Sequence, residues 1–251
     1  MSPIAANLQA VRRRISETLQ GDSRVVTLVA VSKSQDPKAI RAAHAAGCRD
    51  FGESYVQEAL PKLAALSDLP AAWHYIGHLQ TNKARDIAGR FDWVHGIDRA
   101  RAAAALAKAR PATLEPLNVC IQVNISDEAS KGGVAPGEAL ALAREVAAMP
   151  RLKLRGVMGM ASATTDERER RRQFALLRGT ADEIRAAGLP IDTLSMGMSD
   201  DFEDALREGA TMVRIGTAIF GERPKPGSDP NFVGKPGHVK RNAHELGSDP
   251  K

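Results

Sequence analysis

Residues 25–37 read VVTLVAVSKSQDP. Seven apolar or β-branched residues in a row (25–31) describe a strand buried on both faces, which is the habit of a parallel sheet covered by helices. An open, doubly wound sheet usually carries a glycine-rich phosphate turn after its first strand. Here that turn is VSKSQDP and contains no glycine. The same pattern then repeats along the chain. Strands are expected at 25–31, 49–52, 73–77, 93–97, 117–125, 154–160, 193–198 and 212–215. Helical patterns fill the gaps at 37–47, 54–66, 81–90, 98–110, 136–149, 166–188 and 200–208. Eight strand–helix units in about 200 residues fit a (β/α)8 TIM barrel, whose usual size is ~250 residues.

No stretch rich in Pro, Gly or Ser divides residues 1–222, so a single α/β domain is expected over 1–223. Upstream of the first strand, Ile4, Leu8, Val11, Ile15 and Leu19 share one face of an amphipathic helix. The segment lacks the continuous apolar core and small-residue cleavage site of a secretory leader, so a cytoplasmic address is expected. No apolar run is long enough to cross a bilayer. From 224 to 251 the sequence turns to Pro, Gly and polar residues without periodicity, and a flexible tail is expected there.

Lys and Arg exceed Asp and Glu by 35 to 30. The basic clusters at 12–14, 167–172 and 235–244 read as solvated faces. Aromatic residues make up only 4% of the chain, too few for base-stacking platforms, so no nucleic-acid partner is expected. A phosphorylated small molecule accounts equally well for a mild positive excess. Cys48 and Cys120 have no CxxC spacing; Cys120 reads as buried, Cys48 as partly exposed, and both as reduced.

In a βα barrel the functional groups stand at the C-terminal ends of the strands. Lys33 follows the first strand at that position. It reads either as a solvated strand-end charge or as a Schiff-base amine, because apolar walls strip solvent from the cation and favour the neutral nucleophile. The last two units carry SMGMS (195–199) and RIGT (214–217). Ser199 or Asp200 is placed to cap the following helix, with Asp200 and Glu203 as a capping box. Gly216 lets backbone N–H groups approach an anion closely, and Thr217 adds a hydroxyl. Loops after strands seven and eight often bind phosphate in such barrels. Arg214 shares the inward face of Gly216 and needs a partner, either a ligand atom or an internal acid such as Glu53.

The blocks AVSKSQ, FGESYVQEALPK, WHYIGHLQTNK, QVNISDEASKGGV, RGVMGMAS, SMGMSDDFEDAL and MVRIGTAIFGER span residues 28–223 in order. Together they resemble the pyridoxal phosphate homeostasis protein family, related to the N-terminal barrel of alanine racemase. The resemblance implies a monomeric barrel that holds pyridoxal 5'-phosphate (PLP) as a Schiff base on Lys33. It implies that Ser199, Gly216 and Thr217 are phosphate ligands and that Arg214 faces the pyridine nitrogen. It also implies a carrier that buffers PLP or delivers it to apo PLP-dependent enzymes, rather than a catalyst. Two positions depart from the family pattern. Ser54 stands where an asparagine would bond the ring hydroxyl, and His78 stands where a proline is usual. His74 and His78 have a spacing that would suit a metal on a helix, but on a strand they lie ~13 Å apart. No metal site is therefore expected, and His74 is placed at the pocket wall or in the core. Two other readings remain open on the residues. A PLP-dependent amino-acid racemase would need a second acid/base opposite Lys33, for which Tyr55 and Tyr75 are the only tyrosines. A lysine Schiff-base aldolase would need no cofactor.

Overall fold

In the computed structural model, which describes residues 2–126, 128 and 131–222, eight parallel strands close into a barrel in chain order. They are β1 (Thr27–Val31), β2 (Asp50–Glu53), β3 (Ala72–Tyr75), β4 (Trp93–Ile97), β5 (Leu117–Gln122), β6 (Leu152–Met158), β7 (Thr193–Ser195) and β8 (Met212–Ile215). The barrel closes where Thr27 to Ala30 pair with Met212 to Ile215. Helices occupy the gaps: α2 (Pro37–Ala45), α3 (Val56–Ala65), α4 (Ala84–Ala88), α5 (Ala100–Ala109), α6 (Ala139–Ala147), α7 (Glu167–Ala186) and α8 (Phe202–Arg207). The expected single-domain (β/α)8 fold is the observed one. The tail expected at 224–251 lies outside the described residues.

Side-chain caps explain three of the helix starts. Asp36 accepts a hydrogen bond from the Ala39 N–H at 2.7 Å, and Pro37 preorganises the first turn of α2. Asp166 accepts from the N–H groups of Arg168 and Glu169 to start α7. The N-terminal helix α1 (Pro3–Thr18) is capped by Ser2 and buries Leu8, Val11 and Ile15. It packs against α2, α8 and the last short helix α9 (Thr217–Phe220). One expected cap is corrected. The residue before α8 is Asp201, and neither Ser199 nor Asp200 caps it. Asp201 instead turns back to accept from the Met198 N–H at 2.5 Å, which frees Ser199 to face β8.

The third, fifth and seventh strands end before their apolar runs do, because the chain must bend at the barrel mouth. Gly77 lies so close to the β2 loop that a Cβ would stand 2.0 Å from the Ser54 carbonyl oxygen. Gly197 has φ +91°, and a Cβ there would meet the Ala205 Cβ at 2.7 Å. Left-handed strain and overpacking then add. Gly197→Ala should therefore lower stability by about 2–4 kcal/mol in urea unfolding; a loss under about 0.5 kcal/mol would contradict that packing.

Cys48 is buried, not partly exposed: its thiol donates to the Asp50 carbonyl at 3.4 Å, and burial pushes its pKa up. Cys120 is buried as expected, and burial pushes its thiol up to about 12. Neither forms a disulfide. The basic clusters at 12–14 and 167–172 are largely tied into the surface, and the one at 235–244 lies outside the described residues. Arg12 donates to the carbonyls of Ala46 and Gly47. Arg14 pairs with Glu203, Arg170 with Asp204, Arg171 with Glu208, and Arg172 with Glu169. Among the described residues no helix is long and apolar enough to cross a membrane.

Candidate functional site

At the C-terminal mouth, Lys33 lines one narrow cleft with Val31, Gln35, Gly216, Thr217 and Gly221. The pairing of β1 with β8 brings the two loops side by side. Gly216 faces this wall: a Cβ there would stand 3.4 Å from both the Cβ and the carbonyl oxygen of Val31. A side chain at 216 would press on the wall that Lys33 shares. Ser199 reaches the same place from the β7 loop, where its Oγ accepts from the Ala218 N–H at 3.4 Å. Of the three residues expected around a phosphate, Gly216 and Thr217 thus line the cleft with Lys33, and Ser199 contacts the residue that follows Thr217.

The turn that carries Lys33 is clamped on both sides. Before it, Ser32 N–H donates to the Gly52 carbonyl at 2.9 Å, and Ser32 Oγ donates to Glu53 Oε1 at 2.6 Å. Behind it, the buried ammonium of Lys62 donates to the Ser32 carbonyl at 2.8 Å, to both Glu53 oxygens at 3.0 and 3.2 Å, and to Glu58 Oε1 at 2.5 Å. Glu58 in turn accepts from the Ser34 N–H. Ser34 adopts φ +64°, an uncommon conformation for a residue other than glycine, and this bond holds it there. Glu53 is fully buried. Burial raises its carboxyl above the usual range, against the opposing pull of Lys62 and Ser32. Lys62 and Glu58 escaped the reading of the sequence. The available signal was an i,i+4 Glu–Lys pair on the helix after β2, which reads by itself as a surface pair.

Arg214 points into the barrel and is 5% exposed. It donates from Nη1 to Ser195 Oγ at 2.7 Å and from Nη2 to the Gly159 carbonyl at 3.1 Å. Its bland alternative partner, Glu53, is instead outside the barrel on Lys62. Burial lowers the guanidinium to about 10, opposed by Asp201, so Arg214 stays cationic at neutral pH.

His74 is fully buried, and both its ring nitrogens are engaged within the protein. Nδ1 meets His95 Nε2 at 3.0 Å, and Nε2 meets Asp50 Oδ1 at 3.1 Å. Its ring stacks on Trp93 with centroids 5.4 Å apart. Of the two places expected for His74, pocket wall or core, it takes the core, with both ring nitrogens engaged within the protein. Its β4 neighbour His95 was missed, because a lone histidine in WVHGI carries no motif. Ser54 follows β2, half-buried, with its carbonyl against Gly77.

His78 lies in the loop after β3, exposed, with Nδ1 3.8 Å from Asp98 Oδ2. Tyr75 packs edge-on against Phe91 and donates to the His78 carbonyl at 3.0 Å. Tyr55 precedes α3 and is 59% exposed.

This closed eight-stranded barrel, with a lysine after β1 and a buried arginine in its interior, falls in the family of the alanine racemase N-terminal domain. The model of that domain matches residues 2–224. The barrel of alanine racemase from Clostridium difficile 630 superposes with a TM-score of 0.70 at 15% identity, covering 87% of this chain and 57% of that one. At that identity the likeness shows the fold alone. Nearer relatives narrow the assignment. A pyridoxal phosphate homeostasis protein of Pseudomonas aeruginosa is 53% identical over 226 residues, covering 89% of this chain and 97% of the relative. One of Escherichia coli K12 is 50% identical over 234 residues, covering 89% and 98%. PipY of Synechococcus elongatus, solved with PLP bound, matches with a TM-score of 0.77 at 37% identity over 87% of this chain and all of that one. The chain belongs to the pyridoxal phosphate homeostasis protein family.

Proposed function

We propose that this protein binds pyridoxal 5'-phosphate at the barrel mouth and buffers or delivers it, without catalytic turnover. The observation that carries this reading is the shared cleft of Lys33 with Gly216 and Thr217, above a buried, cationic Arg214. When bound, PLP supplies an electrophilic aldehyde and an electron-withdrawing ring. The amine of Lys33 would hold the aldehyde carbon, on a turn that Lys62 and Glu58 keep rigid. Gly216, Thr217 and Ser199 would take the phosphate through backbone N–H and hydroxyl donors. Arg214 would stand at the ring nitrogen. Guanidinium offers donors only, so it would keep a proton off that nitrogen and leave the ring a weak electron sink. Ser54, shorter than the family asparagine, would take its place at the ring hydroxyl. His74 acts at one remove, through His95 and Ser195.

The reading without turnover is supported by the state of the two tyrosines that a racemase would need. The hydroxyl of Tyr75 is given to the His78 carbonyl, and Tyr55 is solvent-exposed. The exposed large hydrophobic residues, Val25, Tyr55, Leu114, Leu176 and Met198, are scattered along the chain. A cytoplasmic monomer that serves apo PLP-dependent enzymes is part of the same proposal.

Titrating the purified protein with PLP tests binding: a new visible absorbance band that survives gel filtration is expected, and its absence would sink the proposal. Turnover is tested separately. The PLP-loaded protein, incubated with L-alanine or L-serine, should produce the D-enantiomer at well under ~1 s⁻¹ by chiral chromatography. A rate above that would make the protein a racemase.

A further inference from the structure

Barrel interiors are ordinarily filled by branched apolar side chains. This one holds a line of polar groups from five strands: Arg214 (β8), Ser195 (β7), His95 (β4), His74 (β3) and Asp50 (β2). The successive distances are 2.7 Å, 2.9 Å, 3.0 Å and 3.1 Å. Arg214, Ser195, His95 and His74 are buried, whereas the Asp50 side chain is 28% exposed. Asp50 lines a cleft at the opposite end of the barrel with Arg12, Thr27 and Arg49. We propose that these side chains form a one-way hydrogen-bond chain through the barrel that positions Arg214 and joins it to Asp50 as a distant counter-anion.

The direction follows from the donor inventory. Guanidinium only donates, so Ser195 Oγ must accept from Arg214. The Ser195 hydroxyl proton then has one acceptor within reach, His95 Nδ1. A ring that accepts at Nδ1 while neutral carries its proton on Nε2, so His95 donates to His74 Nδ1. By the same rule His74 is protonated on Nε2 and donates to Asp50. The carboxylate accepts only, and it closes the chain. Each link is satisfied once, with the guanidinium at one end of the chain and the carboxylate at the other.

The competing arrangement puts the extra proton on His74 and reverses the inner links. His95 would then donate to Ser195, whose own hydroxyl would be left without an acceptor in a buried site. It would also add a cation to an interior that already holds Arg214. The groups that face His95 are the His74 and Trp93 rings, Ser195 and Arg214, with Cys120 and Asp201 near the guanidinium. Burial, and then the neighbouring His74 and Arg214, hold His95 well below the ordinary histidine value, which agrees with a neutral ring. Ser195, His95 and His74 are therefore positioning residues for Arg214. None of them needs to touch a ligand.

The order of protons does not depend on what fills the mouth, so the test uses the full-length chain without added cofactor. Long-range proton–nitrogen NMR spectra of the 15N-labelled protein at pH 7 should show both His74 and His95 neutral and protonated on Nε2. Ser195→Ala should shift the nitrogen pattern of His74, two links away, while Ser195→Thr keeps the wild-type pattern. A serine with a merely structural role would leave His74 unmoved. A proton on Nδ1 of either ring, an imidazolium at pH 7, or an unchanged His74 in a folded Ser195→Ala variant would overturn the proposal. Should that variant fail to fold, the wild-type spectrum alone decides. The result is independent of PLP titration, so the two readings fail separately.

Discussion

Lys33→Ala is expected to abolish covalent capture of PLP completely. After borohydride reduction the wild-type protein should carry one phosphopyridoxyl group and the variant none. The replaced side chain lies at a half-buried turn position outside the hydrophobic core, so the fold should survive within about 0.5–1 kcal/mol. Weak, reversible binding through the Gly216–Thr217 wall and Arg214 should remain, because those groups belong to other strands. Difference spectra would then show PLP as the free aldehyde, bound with lower affinity. An undiminished adduct on another lysine would remove Lys33 from its assigned role.

Lys62→Met should produce the largest loss of stability. Methionine nearly preserves the volume but removes the ammonium that satisfies Glu53, Glu58 and the Ser32 carbonyl together. Glu53 is fully buried. Stripping one partner from a buried ion pair leaves an uncompensated charge, and the cost is about 3–5 kcal/mol. The sign with pH is fixed by Glu53, whose folded carboxyl already lies above its unfolded value of 4.5 because burial outweighs Lys62. Loss of Lys62 raises it further. A group raised on folding favours the folded state below its unfolded value and loses that contribution as pH rises through its folded value. The deficit of the variant should thus be small in mild acid and grow towards neutral pH. Urea unfolding at a series of pH values checks it, with added Glu53→Gln expected to restore part of the loss. A pH-independent deficit would mean that packing, not charge, is what Lys62 contributes. The same variant loosens both sides of the Lys33 turn, so PLP should also be captured more slowly.

The fold was legible because its signals are periodic. VVTLVAV, LNVCIQV and the other apolar runs are strands buried on both faces, and the helices between them begin with caps such as Asp36-Pro37. Boundaries were less legible. The apolar runs at 73–77 and 193–198 continue past the ends of β3 and β7, and only packing against Ser54 and Ala205 determines where Gly77 and Gly197 turn. The site was legible where a residue sits at a strand end: Lys33, Gly216, Thr217 and Ser199 come together beside one cleft. It was illegible where residues from distant strands meet inside the barrel. Nothing in WVHGI announces that His95 will touch Ser195, one hundred positions later, since that contact exists only once the barrel has closed. For the same reason the sequence leaves His74 between the pocket wall and the core. Its two nitrogens are spent on partners 21 and 24 residues away. Glu58 and Lys62 were illegible for another reason, since an i,i+4 pair carries no sign that packing of the helix will bury its lysine.

The account turns on where PLP attaches. Borohydride reduction of the PLP-loaded wild-type protein, followed by proteolysis and mass-spectrometric mapping, tests this most directly. The expected result is a single modification on the peptide that contains Lys33, with Lys62 and Lys131 unlabelled. A label distributed over surface lysines, or none at all, would contradict the assignment of the barrel mouth as the PLP site.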